Sequence, residues 1–285
     1  MARGISFAQL GLLLVLLASC GGGGSSSQEQ SAVNSPVSTT PASIDCGSAC
    51  ALSVDDVELV IAQAVAEAKA RNIAGTIAVV DRVGNVLGVF QMQGADEFIT
   101  ITSTADLGGP VVGGLESLNF IPATLAAISK AVTGAYLSTG GNAFTTRTAS
   151  QIIQENFNPG ERDVPSGPLF GVQFSQLACS DFSQRDLGTG AVGVGPHRAP
   201  LGLSADPGGL PLYINGLPVG GVGVIADGIY GLDKNIGDFD IDLDELLATA
   251  ATRGYAAPLE IRADRITLVG KTARFSDALV SDLLS

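Results

Sequence analysis

The residue best suited to ligate a metal is His197, the only histidine in the 285-residue chain. It stands in a short segment between Pro196 and Pro200. A single imidazole could ligate the iron of a haem, whereas zinc sites that need two or three imidazoles are excluded. The alternative is a loop histidine that hydrogen-bonds the backbone, and the sequence leaves both open.

A second group of candidate residues is threonine-rich and cationic. Thr145, Thr146 and Arg147 stand at the start of a predicted helix, and Lys130 lies on the helix before it. Hydroxyls, backbone N–H groups and cations together suit a carboxylate. A propionate group or a small organic acid would fit equally, and plain capping of the helix by Thr145 is the alternative.

Two further motifs carry less information. Residues 220–224 read Gly-Gly-Val-Gly-Val without the strand-to-helix context of a dinucleotide loop, so they indicate a strand over which something packs closely. An acidic group could hold calcium, or it could form the solvated start of a helix, where negative charge is favourable. Its members are Asp233, Asp238, Asp240, Asp242, Asp244 and Glu245.

The first 20 residues resemble an export signal that ends in a lipidation site. Arg3 precedes an apolar stretch from Leu10 to Ala18, which is too short to span a bilayer. Cys20 follows it, as in the lipobox of bacterial lipoproteins; an ordinary signal peptide with a chance cysteine is the alternative. We expect a signal peptide over residues 1–19, a palmitate-bearing lipid anchor at Cys20 and a disordered Gly/Ser-rich tether over residues 20–50.

Charge and cysteine content limit the compartment and the partners. A net charge of −13 and a pI near 4.3 argue against nucleic acid and against direct docking on anionic lipid, so membrane attachment should come through the lipid anchor. We expect the cell envelope, with the protein at the outer membrane facing the periplasm or the exterior. Disulfides persist there, and Cys46 and Cys50 could close a small loop, while Cys179 could be free or pair with either.

The pattern of apolar residues predicts mixed secondary structure. Tight turns between adjacent strands indicate an antiparallel sheet with helices on its faces, which is an α+β fold. Residues 94–119 are predicted as a loop, and residues 259–275 as a last short hairpin. Helices are predicted over about 53–72, 123–138, 146–156 and 243–253, and strands over 76–81, 86–91, 169–177, 212–214 and 219–225.

Several of these segments together resemble the GlcG/HbpS-like haem-binding family. The first is residues 53–95, which include the hairpin Ala-Val-Val-Asp-Arg-Val-Gly-Asn at 78–85 and Gln-Met-Gln-Gly-Ala at 91–95. Later segments agree in order: Lys-Ala at 130–131, Gly-Gly-Leu-Pro-Leu-Tyr at 208–213, Gly216 and residues 219–224. The resemblance covers most of residues 53–254, with insertions near residues 100–120 and 157–207. Gln91 departs from it, because many relatives carry Arg before Met92.

The resemblance implies a profilin-like three-layer α/β/α sandwich over residues 51–285. Its central antiparallel sheet would have about five strands, and the protein could form a homo-oligomer. It also implies haem as the cofactor, outside the cytoplasm. We therefore expect a lipid-anchored, non-enzymatic binding protein for haem or a similar planar, carboxylate-bearing ligand. The candidate ligand-binding residues are His197, Thr145, Thr146, Arg147 and Lys130.

Two other functions fit the same residues. The first is an enzyme or accessory protein that acts on a small organic acid through Arg147 and Lys130. The second is a lipoprotein scaffold that binds a protein partner and whose pocket is vestigial.

Overall fold

A computed structural model describes residues 50–102, 115–154, 166–169, 172, 174–175, 201–233, 237–268 and 270–285. The helices in these ranges are α1 (Val54–Ala70), α2 (Ala123–Tyr136), α3 (Thr146–Ile152) and α4 (Leu243–Ala251). The strands are β1 (Thr76–Asp81), β2 (Val86–Gln91), β3 (Phe98–Ile101), β4 (Ile121–Pro122), β5 (Gly209–Ile214), β6 (Leu217–Ile225), β7 (Ile229–Tyr230), β8 (Thr267–Leu268) and β9 (Lys271–Thr272). Antiparallel sheets and helices together confirm the predicted α+β class.

The main sheet is antiparallel, with strand order β2-β1-β6-β5. Two hairpins build it, and β1 pairs with β6 over its whole length. The β5–β6 turn contains Asn215 and Gly216, both at positive φ as this type of hairpin turn requires. In the described part of the chain this sheet has four strands, so the expected fifth strand is not found there.

The two faces of the main sheet are covered by different helices. Ile77 and Val79 of β1 belong to a core formed with α1 and α4, whereas Ala78 and Val80 belong to a core formed with α2. This alternation follows from the period-two geometry of a strand. The result is three layers, with α1 and α4 on one face of the sheet and α2 on the other.

Glycines in β6 allow α2 to approach the sheet very closely. A Cβ atom on Gly221 would lie 2.1 Å from the carbonyl oxygen of Ala131, and one on Gly223 would lie 2.1 Å from that of Ala127. Gly134 of α2 makes the reciprocal approach, because its Cβ would lie 2.7 Å from the carbonyl carbon of Leu210. The glycine run is therefore a packing surface, as predicted, and it leaves no space between α2 and the sheet.

Other parts of the fold differ from the predictions. The stretch predicted as loop over 94–119 contains β3, which pairs with β4 and, in parallel, with β7. Propensity missed it because β3 gains its stability from these distant partners. The strand predicted over 169–177 lies partly outside the described residues; within them, only an isolated bridge joins Phe174 to Leu203. The predicted last hairpin is present as β8 and β9.

Near the start of the described chain, Cys50 is disulfide-bonded. Cys20, Cys46 and Cys179 lie outside the described residues, so the pairing of Cys46 with Cys50 stays a prediction. No helix in the described ranges is both long enough and apolar enough to cross a membrane.

Candidate functional site

The threonine segment forms the cap of helix α3. The Thr145 hydroxyl accepts a hydrogen bond from the Thr148 N–H at 3.1 Å and donates one to the Phe275 carbonyl at 2.5 Å. The Thr146 hydroxyl accepts from the Gly209 N–H at 2.9 Å. All three threonines are fully buried. Their hydroxyls therefore satisfy the protein's own backbone, which is the capping role considered as the alternative from the sequence.

Arg147 is buried in a cage of carboxylates. Its guanidinium contacts Glu245 through Nε at 3.4 Å and through Nη2 at 3.1 Å. Its Nη1 atom lies 2.8 Å from Asp233, 3.2 Å from Asp240 and 3.5 Å from Asp277. Burial alone would lower the pKa of Arg147, but these carboxylates outweigh burial and raise it. The side chain stays charged, and an incoming carboxylate would have to displace one of these partners.

Lys130 lies in a second buried network. Its Nζ contacts the carboxylates of Asp206, at 2.5 Å, and Asp244. Asp244 also accepts a hydrogen bond from the Ala226 N–H at 2.6 Å, and Asp206 accepts one from the Gly231 N–H at 3.0 Å. The two networks meet at the first turn of α4, because Asp244 and Glu245 are adjacent. Lys130 has no exposed surface.

The Lys130 network holds two carboxyl groups but one ammonium group. Burial raises the pKa of Asp206 to about 7, although Lys130 acts in the opposite direction, and burial raises the pKa of Asp244 as well. The pKa of Lys130 is raised, since the carboxylates outweigh its own burial. One negative charge balances the ammonium, so the second carboxyl group retains a proton far more readily than an exposed aspartate.

This proton should make stability depend on pH. A carboxyl group whose folded pKa is raised stabilises the fold fully below its unfolded pKa and loses that contribution as the pH rises through the folded value, here from about 4 to 7. We expect Asp206→Asn to be more stable relative to wild type at pH 8 than at pH 4, by up to about 4 kcal/mol. Urea unfolding at both pH values measures this. The exposed-site control Asp264→Asn should show no such change, and equal behaviour of the two variants would contradict the shared-proton interpretation.

The acidic group does not require a metal to be stable. Among the described residues, oxygens of Asp233, Asp238 and Asp240 lie within 4.8 Å of one another, the spacing of a possible cation site. Asp233 and Asp240 already contact Arg147. Asp242 caps α4 by accepting from the Glu245 N–H at 2.8 Å. The arrangement therefore fits the acidic helix start better than the calcium alternative.

The structure thus places four of the predicted ligand residues in buried, internally paired positions. Lys130, Thr145, Thr146 and Arg147 are brought near one another by the contacts of α2, α3 and α4 with β5. None presents a polar atom to open space, so their geometry does not favour a carboxylate site, and their ligand-binding role stays a prediction. His197 and Cys20 lie outside the described residues.

Open space occurs elsewhere, in an apolar cleft between α1 and β2. It has a volume of about 550 Å³, within the range of small-molecule sites. We call it the α1–β2 cleft. The lining is Leu52, Ser53, Val54, Val57, Glu58, Ile61, Ala62, Val65, Leu87, Gly88, Val89 and Phe90.

A glycine in β2 lets α1 approach the strand closely at the base of this cleft. A Cβ atom on Gly88 would lie 3.1 Å from Val57 Cγ1 and 3.3 Å from Ile61 Cδ1, so a larger side chain there would push against α1. A capping box fixes the start of α1 beside the cleft. Ser53 Oγ accepts a hydrogen bond from the Asp56 N–H at 3.2 Å, and the Asp56 carboxylate accepts one from the Ser53 N–H at 2.8 Å.

The side chains that line the cleft are mostly apolar, and one of them is acidic. Glu58 is its only charged lining residue, and no lining residue is cysteine, histidine, methionine or tyrosine. The lining can therefore hold an apolar ring but supplies no cation for a carboxylate and no usual axial ligand for haem iron. Charged groups of such a ligand would have to point into solvent.

Sequence reasoning assigned the cleft residues to the core. The apolar stripe of α1 predicts burial, and Val57, Val60, Ala64 and Ala68 are buried as expected. The sequence did contain one sign of a cleft, which is that the apolar face of α1 is wide. Val54, Ile61 and Val65 extend this face beyond the buried positions. Asp206 carried no signal in the sequence, since its partner Lys130 is 76 positions away.

Comparisons with known proteins give distant similarities. No protein-family model matches the chain, and no curated protein matches it in sequence. The chain is similar to the ORFY protein of Klebsiella pneumoniae, with 20% identity, coverage of 71% of this chain and 89% of that chain, and a TM-score of 0.38. It is similar to the PduOC haem complex, with 17% identity, coverage of 72% and 94%, and a TM-score of 0.38.

A double mutant of HbpS from Streptomyces reticuli is a third similar structure. The identity is 17%, the coverage is 78% of this chain and 97% of that chain, and the TM-score is 0.36. At these identities and TM-scores, the similarity does not place the chain in a family.

Proposed function

We propose that this chain binds haem or a similar planar apolar ligand in the α1–β2 cleft. The observation that supports the proposal is the cleft itself, an apolar space of about 550 Å³ between α1 and β2. Burial of apolar ring surface would provide the affinity, at roughly 25 cal/mol per Å² removed from water. The sequence resemblance to a haem-binding family, and the haem carried by the similar PduOC structure, favour a tetrapyrrole over other planar molecules.

In this proposal the cleft would hold only the apolar ring of a haem. The carboxylates would lie at the open mouth in water, because the lining has no cation and Lys130 and Arg147 are engaged elsewhere. The iron would need a ligand from outside the lining, and His197 remains the candidate for that role. Bound haem would supply an iron centre; the residues described here would hold and shield its ring.

A hemin titration with two matched helix variants tests the proposal. Ile61→Glu places a charge in the cleft, whereas Leu59→Glu makes the same change on the same helix at a residue outside the lining. We expect wild type and Leu59→Glu to give a saturable shift of the hemin Soret band. Ile61→Glu should weaken binding by at least about tenfold, which is 1.4 kcal/mol, because its carboxylate must lose water beside the ring.

Either of two results would overturn this function. One is a hemin spectrum in the presence of wild type that does not differ from free hemin. The other is an equal loss in the Leu59→Glu control, which would mean that binding follows surface charge and not the cleft. Circular dichroism of both variants checks that the fold is retained.

We propose further that the domain is anchored outside the cytoplasm by lipid on Cys20. The support is the sequence: an apolar stretch, small residues, a cysteine and a Gly/Ser-rich segment in that order. Replacement of Cys20 by Ser should move the protein from the membrane fraction to the soluble fraction and abolish labelling by radioactive palmitate in a bacterial host. Unchanged labelling in that variant would refute the anchor.

A further inference from the structure

Strand β2 is an unprotected edge of the main sheet. Its only strand partner among the described residues is β1. Val86, Leu87, Val89 and Phe90 each expose between 38 and 46% of their surface. The strand, Val-Leu-Gly-Val-Phe-Gln, contains no charge and no proline, which are the usual means of keeping an edge strand from pairing.

The opposite edge of the same sheet is covered. In β5, the Tyr213 N–H donates to the Tyr255 carbonyl at 2.8 Å, and the Gly209 N–H donates to the Thr146 hydroxyl at 2.9 Å. Ala257, Ala263, Ala273 and Phe275 belong to the same core cluster as Tyr213. The sheet can therefore be extended at β2 and not at β5. An assembly built by pairing at β2 alone closes after two copies and cannot grow into a filament.

The register of β2 identifies which backbone groups point outward. The Met92 N–H donates to the Gly75 carbonyl at 3.1 Å, and hydrogen bonding alternates along an antiparallel pair. Phe90 and Gly88 therefore bond to β1, opposite Ile77 and Val79. The N–H and C=O groups of Val89 and Gln91 point away from the sheet and are free to pair with another strand.

We propose that a second copy of this chain pairs antiparallel with β2 about a two-fold axis at Val89. In this register, the two Val89 residues exchange both backbone hydrogen bonds. Phe90 of each copy lies opposite Gly88 of the other, so that no two large side chains compete for space at this position. Leu87 lies opposite Gln91, so no charged residue meets another along the six-residue strand. The strand is complementary to itself, which is why a second copy is the favoured occupant.

The pairing also affects the α1–β2 cleft. Leu87, Gly88, Val89 and Phe90 of β2 line the cleft, so a second copy paired with β2 would lie beside its mouth. The net charge of −13 on each copy opposes association at long range, while the paired strands carry no charge. Association should therefore strengthen as salt screens the repulsion, because the Debye length falls with ionic strength.

Cysteine cross-linking of the full chain tests the proposed axis. Two residues that exchange both backbone hydrogen bonds in an antiparallel pair have Cα atoms about 5.5 Å apart, and a disulfide can form at that distance. We expect Val89→Cys to form a covalent dimer on mild oxidation. Leu87→Cys, whose two copies would lie four residues apart along the strand, should give no more dimer than wild type. A covalent dimer yield for Val89→Cys no greater than that of wild type would overturn the proposal.

Mass measurement gives an independent test that needs no added cysteine. Light scattering should show wild type as a dimer. Val89→Lys should weaken the dimer by at least about tenfold, because it sets two like charges opposite each other at the axis. The control Val83→Lys makes the same change at the exposed β1–β2 turn and should leave the dimer intact. A monomeric wild type, or equal masses for the two lysine variants, would refute pairing at β2, whatever the outcome of the hemin titration.

Discussion

Replacement of Gly223 by alanine is expected to destabilise the fold by about 3 kcal/mol or to prevent folding. The added Cβ would lie 2.1 Å from the Ala127 carbonyl oxygen and 2.4 Å from the Ala131 nitrogen. Both neighbours are backbone atoms of α2, so no side chain can rotate away. The helix would have to move off the sheet and expose the core that it shares with β1.

Urea unfolding with a matched glycine control measures this effect. Gly140→Ala adds the same methyl group where nothing lies within 4 Å, and its stability should stay within about 0.5 kcal/mol of wild type. An unfolding midpoint for Gly223→Ala equal to that of Gly140→Ala would show that α2 does not approach β6 as closely as described.

Replacement of Arg147 by methionine is expected to cost about 3–5 kcal/mol at pH 8. Methionine retains apolar bulk but leaves Glu245 buried without its cation. Asp233 and Asp277 each lose one ion pair as well, although Asp277 keeps its contact with Arg274. Breaking a buried ion pair from one side has a cost of this size. Burial already raises the pKa of Glu245 to about 7, although Arg147 acts to lower it. Loss of Arg147 should therefore raise the pKa of Glu245 further.

The pH dependence separates this charge effect from a simple loss of packing. At pH 5, the Glu245 carboxyl group can take up a proton, and the cost of Arg147→Met should fall by at least about half. If Arg147→Met lowered the free energy of unfolding equally at pH 5 and pH 8, then Arg147 would not stabilise the fold by neutralising the carboxylates around it. The control Arg265→Met changes an exposed arginine and should have little effect at either pH.

Local patterns in the sequence predicted the scaffold well. The helices predicted over about 53–72 and 243–253 and the β1–β2 hairpin each depend on residues close in sequence, and all are present. The glycine run of β6 correctly indicated close packing. These features are readable because propensity and turn chemistry act over a few residues.

The candidate site was harder to predict because its determinants are long-range. In the sequence, Arg147 and the threonines beside it suggest an anion site. Its actual partners, Asp233 and Glu245, are 86 and 98 residues away along the chain. Only the fold shows that the cation is already neutralised. Likewise, the apolar face of α1 predicts burial, and only the position of β2 shows that Ile61 lines a cleft beside the core.

The most direct test of the central claim is hydrogen exchange with and without metal-free protoporphyrin IX. Leaving out the iron separates the ring site from the question of the axial ligand. Binding in the α1–β2 cleft predicts slower exchange in residues 52–65 and 86–90, with no change in residues 144–148. Slower exchange in residues 144–148 without a change in α1 and β2, or no change anywhere at saturating ligand, would contradict it.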